Sequence, residues 1–572
     1  MVVPALSRLP GRTSLMALGA AARRQLMAEW RGSALHRASL LAPRPEGLGV
    51  QPRDLRPGDV ETGARLLAGA FTFAGLTLQL GPQGDPWDRP SPSRRFAEAL
   101  HGFGWMGDLL TQGEAGARAG LRLTLDWGRL FGGWNSFAWG ADLAERRVFN
   151  LACAARSLCA AASEAETAAI ALDLARQARF LLRVSEGPFR AAERAAAAGV
   201  AGAALAGQTG GTILTAALRQ LERTLPLTVE ADGGHASRNP QAALELLFDL
   251  RCLDAALEDR GLAAPPAMMR AIDRLGGAIR FFTLADGGLP DFQGGEETRS
   301  VYVAAARAAD DAPDAPIPAA RNGYHRLDTG KLQLVVDAAP AARGPWSVNA
   351  CGQPLAVEVL AGGRRLIVGC GWSPGAVAPP ALRIADAAST VTIGDQPCGA
   401  PLSGFAAEAL GPWLFGGCQA VTVRRQEGEE GQLLELSHDG WSPRFGLRHE
   451  RRLFLDPTLG ELRGEDRFVP AVGAQGREPR QSVPFMVRFH VHPDVNVSRA
   501  LDRRSVLLRT HPQDAGWWLR NDAGEVELEP SVYHRQGLPR RTSQIVLRGQ
   551  MRLSEGARVR WKLTQAENAA PR

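Results

Sequence analysis

His235, Ser237, Arg238 and Asn239 crowd one short stretch of the chain, EADGGHASRNPQAALELLFDLRCLDAAL (230–257). A guanidinium pairs bidentately with a carboxylate, and an imidazole can take or give a proton near neutral pH. Together such groups can hold an acidic ligand and move a proton on it. Later in the chain His449, His490 and His492 offer the same titration, and RFHVHPD (488–494) puts the last two on one face of an alternating strand. Two strand histidines can begin a metal site, but no carboxylate stands at a confirming spacing, so neither a metal nor a cofactor is expected. Aromatic faces that stack on sugar rings come from DWGRLFGGWNSFAW (126–139), which gathers Trp127, Trp134 and Trp139. Each group also has a plain structural alternative: a cap, a buried ring or an internally bonded histidine.

The elements around the first cluster are readable. Asp232-Gly233-Gly234 spells a sharp turn, with His235 at its exit. Asn239 can cap the next helix, with Pro240 at its first position, where a missing N–H costs nothing. Ala243, Leu244, Leu247, Phe248, Leu250 and Leu253 follow at the spacing of a buried helical stripe. The cluster therefore sits at a helix mouth, where free N–H groups and the helix dipole favour an anion. The same residues read equally as an ordinary turn and cap. A second Asp-Gly-Gly at 286–288, in LADGGLPDFQGGEE (284–297), repeats the turn about fifty residues on. Gln293, Glu296 and Glu297 can line the same mouth or form a solvated loop.

At 572 residues the chain exceeds a single compact core, and at least two domains are expected. Its composition, 45% hydrophobic and 22% charged, is that of a globular protein. The net charge of +6 mildly favours acidic partners, but Arg far outnumbers Lys in an Ala- and Gly-rich chain, a pattern that base composition of the gene also produces. No nucleic-acid partner is expected. Seven scattered cysteines without a CxxC pair read as buried free thiols. No apolar run is long enough to span a membrane, and the short stretch Leu15 to Ala22 is interrupted by Arg23 and Arg24, so a Sec leader is not supported.

Composition changes along the chain divide it into four parts. Residues 1–60, rich in Pro and Arg, read as a loosely packed lead-in. Residues 61–310 carry Ala- and Leu-rich helical periods broken by Gly or Pro: 141–162, 166–184, 211–225, 240–260 and 266–282. Successive helices with short connections pack as antiparallel pairs that curve into a solenoid or closed α/α toroid. Residues 311–322 have the Pro- and Asp-rich composition of a linker, and 323–572 consist of short β-rich runs separated by Gly, Asp or Pro. Ala361-Gly362-Gly363 is a hairpin signal between two of them. The expected fold is thus multidomain α and β: an α/α toroid followed by a C-terminal antiparallel β-sandwich.

In that order, DGGHASRNP (232–240), LADGGLPDF (284–292), YHRLDTGKLQLVVDAA (324–339), EVLAGGRRLIVGCG (358–371), SHDGWSPRFGLRHERRLFL (437–455), GEDRF (464–468) and VRFHVHPD (487–494) resemble the heparinase II/III family, in particular its heparinase II/III-like bacterial branch of alphaproteobacterial type. The resemblance runs from Trp105 to Leu547. It implies β-elimination on a uronate-containing glycan, heparin-like or otherwise acidic. Such chemistry needs a group that neutralises the carboxylate, a base for the C5 proton and an acid for the leaving oxygen. It also implies a cell-envelope or periplasmic location, with the cytoplasm as the alternative; oligomeric state is left open.

The chain departs from the family pattern at the residues implied for this work. The Tyr is replaced by Ala242, the His of an Ala-His-x-Thr motif by Ala388, and the segment 187–199, where an Asn is implied, contains none. The remaining candidates are His235, Arg238 and His449 as catalytic groups, with Arg238 neutralising the uronate and a histidine taking the proton. Trp134, Trp139, Asn239, Gln293, Tyr324 and His492 are the candidate substrate contacts. Two functions compete: a lyase with a rearranged site, and a catalytically degenerate relative that binds an acidic envelope glycan without cleaving it. Limited proteolysis should cut first between Asp310 and Tyr324; cleavage instead within Glu166 to Arg260, with that segment intact, contradicts the two-domain reading.

Overall fold

A helix made almost wholly of small residues, Ala191–Ala204, runs through the middle of the N-terminal half with all fourteen residues buried. A helix buried on every side must be surrounded, and here Ala141–Leu158, Glu164–Arg183, Gly207–Thr228 and Pro240–Glu258 pack around it. Its glycines let the neighbours close in: a Cβ on Gly202 would lie 2.6 Å from the backbone nitrogen of Leu214, and one on Gly199 would lie 2.9 Å from Leu253. Pro266–Phe282 and Ser300–Ala308 continue the array of paired helices.

The computed structural model describes residues 11–41, 43–312, 315–372, 380–471, 482–511 and 513–566. The expected lead-in differs from what is found. Residues 1–10 lie outside the described residues, but Gly11–Gly32 and Ala34–Leu41 are helices. The first packs on the short helix Gly404–Leu410 of the C-terminal half, where Arg24 donates to the carbonyl of Ala409 at 3.0 Å. The second is tied to Glu164–Arg183 by Arg179, which donates to the carbonyl of Leu40 at 2.7 Å. An apolar stripe diluted by arginines hid these helices from periodicity. The hairpin Ala70–Phe73 with Leu76–Gln79 was likewise not expected. Of the expected linker, residues 313 and 314 lie outside the described residues.

The C-terminal half is a sandwich of two antiparallel sheets. One has eight strands, in the order Val421–Gly428, Gly431–His438, Leu447–Asp456, Glu461–Pro470, Ala557–Gln565, Trp517–Asn521, Val506–Arg509 and Asn496–Arg499. The other has nine: Glu525–Arg535, Leu538–Arg552, Ser482–Val491, Arg364–Val368, Val357–Ala361, Leu332–Asp337, Tyr324–Asp328 and Ala320–Arg321, with Val391–Ile393 added beside Ser482–Val491. Leu334, Val336, Val357 and Val359 face the core between the sheets, while Val335 and Leu360 join the core of the helical half. The nine-stranded sheet is therefore a middle layer covered on both faces. This explains why Leu332–Asp337 reads as a continuous apolar run rather than an alternation.

At Gly202 two helices of the toroid come too close for a side chain. Gly202→Val should lower the unfolding free energy by about 1–3 kcal/mol through overpacking. Gly211→Ala, where a Cβ meets nothing within 4 Å, should be neutral or stabilising by about 0.5–1 kcal/mol. Thermal denaturation of the two variants checks the contrast, and equal effects would contradict this packing.

Candidate functional site

The turn at 232–239 forms as its residues dictate. Gly233 takes φ 91°, Asn239 caps the helix Pro240–Glu258 by accepting from the amide of Gln241 at 2.8 Å, and His235 and Ser237 are buried beneath. His235 is fixed from both sides. Its Nδ1 lies 2.7 Å from the Ser237 hydroxyl and accepts the Ser237 amide at 3.1 Å, while Nε2 lies 3.3 Å from Glu193. Because Nδ1 is an acceptor, Nε2 carries the proton toward Glu193. The hydrogen bond from His235 and the charge of Arg190 outweigh burial and hold the Glu193 carboxyl down at about 2. The Trp346 ring closes over the imidazole at 5.9 Å.

Arg238 points into the sandwich, not into a cleft. With φ at +62° it donates to the carbonyls of Asn322, Gly323, Ala339 and Pro340 and to Asp337 at 2.6 Å. Gln293, with φ at +52°, donates to the other oxygen of Asp337 at 2.7 Å and accepts the Cys351 amide. Tyr324 donates its hydroxyl to the Arg238 carbonyl at 2.6 Å. Three residues expected to meet substrate thus meet one another, and Asp337, which sequence reading missed, is their centre. Two non-glycine residues in the left-handed region cost on the order of 1 kcal/mol or more each, which the carboxylate bridge must offset.

The other candidates scatter. His449 is fully buried between the sheets, 2.9 Å from Asp466 and 3.1 Å from His438, and its expected meeting with His235 does not occur. Burial outweighs the Asp466 partner and lowers its pKa. His490 bonds to Ser531 and to the carbonyl of Asp386, and His492 packs on Tyr533 at 4.9 Å; burial holds both at about 4, so both are neutral at neutral pH. Trp139 is buried and donates its indole N–H to the carbonyl of Phe131, and Trp134 packs on Phe180 beneath Arg31 of the first helix. These rings serve helix packing instead of the expected platform. Among the described residues no group of three or more His, Cys, Asp or Glu is placed to hold a metal.

A second joint lies at the other Asp-Gly-Gly turn. Arg365 of the middle sheet bonds Asp286 at 2.6 Å, Asp291 at 2.9 Å and the carbonyl of Leu289 at 2.7 Å. Tyr533 donates to Asp291 at 2.7 Å, and Glu358 accepts the Asp291 amide at 2.8 Å. Three carboxyls face one guanidinium, so burial and the Asp291 charge push Glu358 up to about 8. Beside them Ala388 lines a cavity of only about 10 Å³ with Asp291, Trp372 and Ser389. The roomier gap at the seam, about 170 Å³, is lined by Asp337, Arg343, Gln353 and Cys418 among others.

With this geometry in place, comparison with known proteins is informative. The family model described as Heparinase II/III-like, C-terminal, matches residues 312–562. FtsZ-localized protein C of Caulobacter vibrioides (strain NA1000 / CB15N) is 50% identical over 564 residues, 98% of each chain. The chain belongs to the heparinase II/III-like family. Heparinase III shares its fold at a TM-score of 0.68 and 13% identity, over 95% of this chain and 89% of that one. The heparan sulfate lyase HepC of Pedobacter heparinus does so at 0.56 and 16%, over 94% and 88%. The toroid and sandwich of this family member are thus those of the lyases, while the identities are too low to carry residue roles.

Glu358 gives the seam a pH dependence. Its folded pKa is raised, so its contribution is fully present below about 4.5 and is lost as pH rises toward about 8. Glu358→Gln should flatten the fall of thermal stability across that window and stabilise the protein at its upper end, on the order of a few kcal/mol. An unchanged slope in melting curves would contradict the assignment.

Proposed function

We propose that the chain is a non-eliminating member of its family, which keeps the lyase architecture as a scaffold and acts by binding, recruited to FtsZ as the name of its Caulobacter relative states of that protein. The observation that carries this reading is the small space at Ala388. About 10 Å³ holds no more than one water, whereas sites for small ligands span roughly 300–1,000 Å³. Elimination further needs a free cation for the uronate and a base beside it. Arg238 spends its donors on four carbonyls and Asp337, and His235 is buried with its proton toward Glu193.

The alanines at 242 and 388 fit the same reading, since neither can take or give a proton. Glycan elimination would need the seam, where the Asp337 and Arg365 joints bridge the two halves and the room left beside Asp337 is about 170 Å³. An acidic glycan bound without cleavage would find a cation in Arg343 at the 170 Å³ gap, where its guanidinium donates to the carbonyl of Gln419 at 3.0 Å.

Two measurements test the proposal. Incubation with heparin, heparan sulfate, chondroitin sulfate and alginate should produce no rise in the ultraviolet absorbance of unsaturated uronate, and a fluorescent fusion should co-localise with FtsZ. A rise abolished by His235→Ala would restore the lyase reading, and a diffuse fusion signal would remove the recruitment.

A further inference from the structure

The toroid covers the nine-stranded sheet, which leaves the far face of the eight-stranded sheet as the large open face of the sandwich. Its outward positions are charged in rows across the strands. Arg452 pairs with Glu435 at 3.0 Å, Arg463 with Glu461 at 2.5 Å, and Arg560 with Asp522 at 2.9 Å. Lys562 stands 3.7 Å from Glu461. Counted as pairs these charges nearly cancel, but they do not lie at one height. The side chains of Arg452, Arg463, Arg560 and Lys562 are 51, 49, 60 and 45% exposed, whereas those of Glu435, Glu465 and Glu461 are 24, 19 and 8% exposed. Glu435, Glu465 and Glu461 lie low against the sheet with the cations above them, while Asp522, 40% exposed, stands nearer their height.

A partner approaching from solvent therefore meets the cations first. Each guanidinium spends one edge on the acid beneath and keeps other N–H groups outward, where a second carboxylate can bond. Between the cations lies an open groove of about 520 Å³ with Leu433 and Phe454 on its floor. Arg520 borders it, lying over the Trp518 ring at 5.5 Å and donating to Thr564 at 3.1 Å.

We propose that this groove docks an extended acidic peptide segment of a partner protein, its carboxylates on Arg452, Arg463, Arg520, Arg560 and Lys562 and its apolar side chains on Leu433 and Phe454. The inference deepens the binding reading above by naming a surface and a partner chemistry. A peptide fits better than other polyanions for two reasons. Sulfated or uronate sugars bring no apolar side chain for the floor, and the Trp518 face on which a nucleobase would stack is covered by Arg520.

The test is fluorescence anisotropy of the full chain with a labelled peptide of about twelve residues, ~40 Å when extended, in which Glu and Asp alternate with Leu and Ser. It should bind, weaken as salt rises, and lose about tenfold or more in affinity on Arg520→Glu combined with Arg560→Glu. Arg448→Glu, on the same face outside the groove, should leave affinity unchanged and controls for folding and for general charge. A peptide with Lys in place of the acids should not bind. Binding of heparin or of phosphatidylglycerol vesicles without binding of the peptide would overturn the proposal, as would a peptide affinity indifferent to the groove reversal. Either outcome leaves co-localisation with FtsZ as a separate result, so failure of the groove and failure of the recruitment are told apart.

Discussion

The structure depends on one shared carboxylate. Asp337 sits at the end of a middle-layer strand and takes Arg238 on one oxygen and Gln293 on the other. Both partners come from the loops of the helical half, and both must adopt left-handed backbone angles to reach it. Removing one partner from a buried ion pair typically costs about 3–5 kcal/mol, because the remaining charge is left without compensation in a poor solvent. The pair need not add much net stability over an apolar contact to set geometry. It fixes which turn of the toroid meets which strand, and Tyr324 extends the joint by bonding the Arg238 carbonyl.

The joint at Arg365 repeats this design with the charges reversed. There the cation belongs to the sheet and Asp286 and Asp291 to the turns of the toroid. Burial and the charge of Asp291 push Glu358 up to about 8, with Oε2 buried and without a hydrogen-bond partner. The contacts at both joints run between the two halves of the chain. Polar residues remain abundant there and bond mostly to one another, although Glu358 Oε2 and Asp291 Oδ1 are left without a hydrogen-bond partner.

Much of the fold was legible because period changes are strong signals. The helix Pro240–Glu258 could be drawn from Asn239, Pro240 and its stripe, and the hairpin at Gly362 and Gly363 from two adjacent glycines, which take φ 57° and 74°. The site was less legible for a physical reason. Composition names residues able to bond, and not whom they bond. Arg238 and Gln293 were expected to meet substrate, yet both bond Asp337, about a hundred residues beyond Arg238 and unremarkable in its strand, and Tyr324 bonds the Arg238 carbonyl. A buried carboxylate at the end of the apolar run LQLVVD was the available signal. The helices at 11–41 escaped because arginines dilute their period, and the strands Glu525–Arg535 and Leu538–Arg552 run well beyond the short β-rich stretches that mark them in the sequence.

The central claim is that the seam between toroid and sandwich is closed in the native protein. Amide hydrogen exchange measures this directly at the Ser237, Arg238 and Gln293 amides and along Leu332–Asp337. Closure predicts that they exchange as slowly as the fully buried helix Ala191–Ala204, opening only when the whole molecule does. Fast exchange confined to the seam, with that helix still protected, would mean that the two halves part in the native state and would contradict the account.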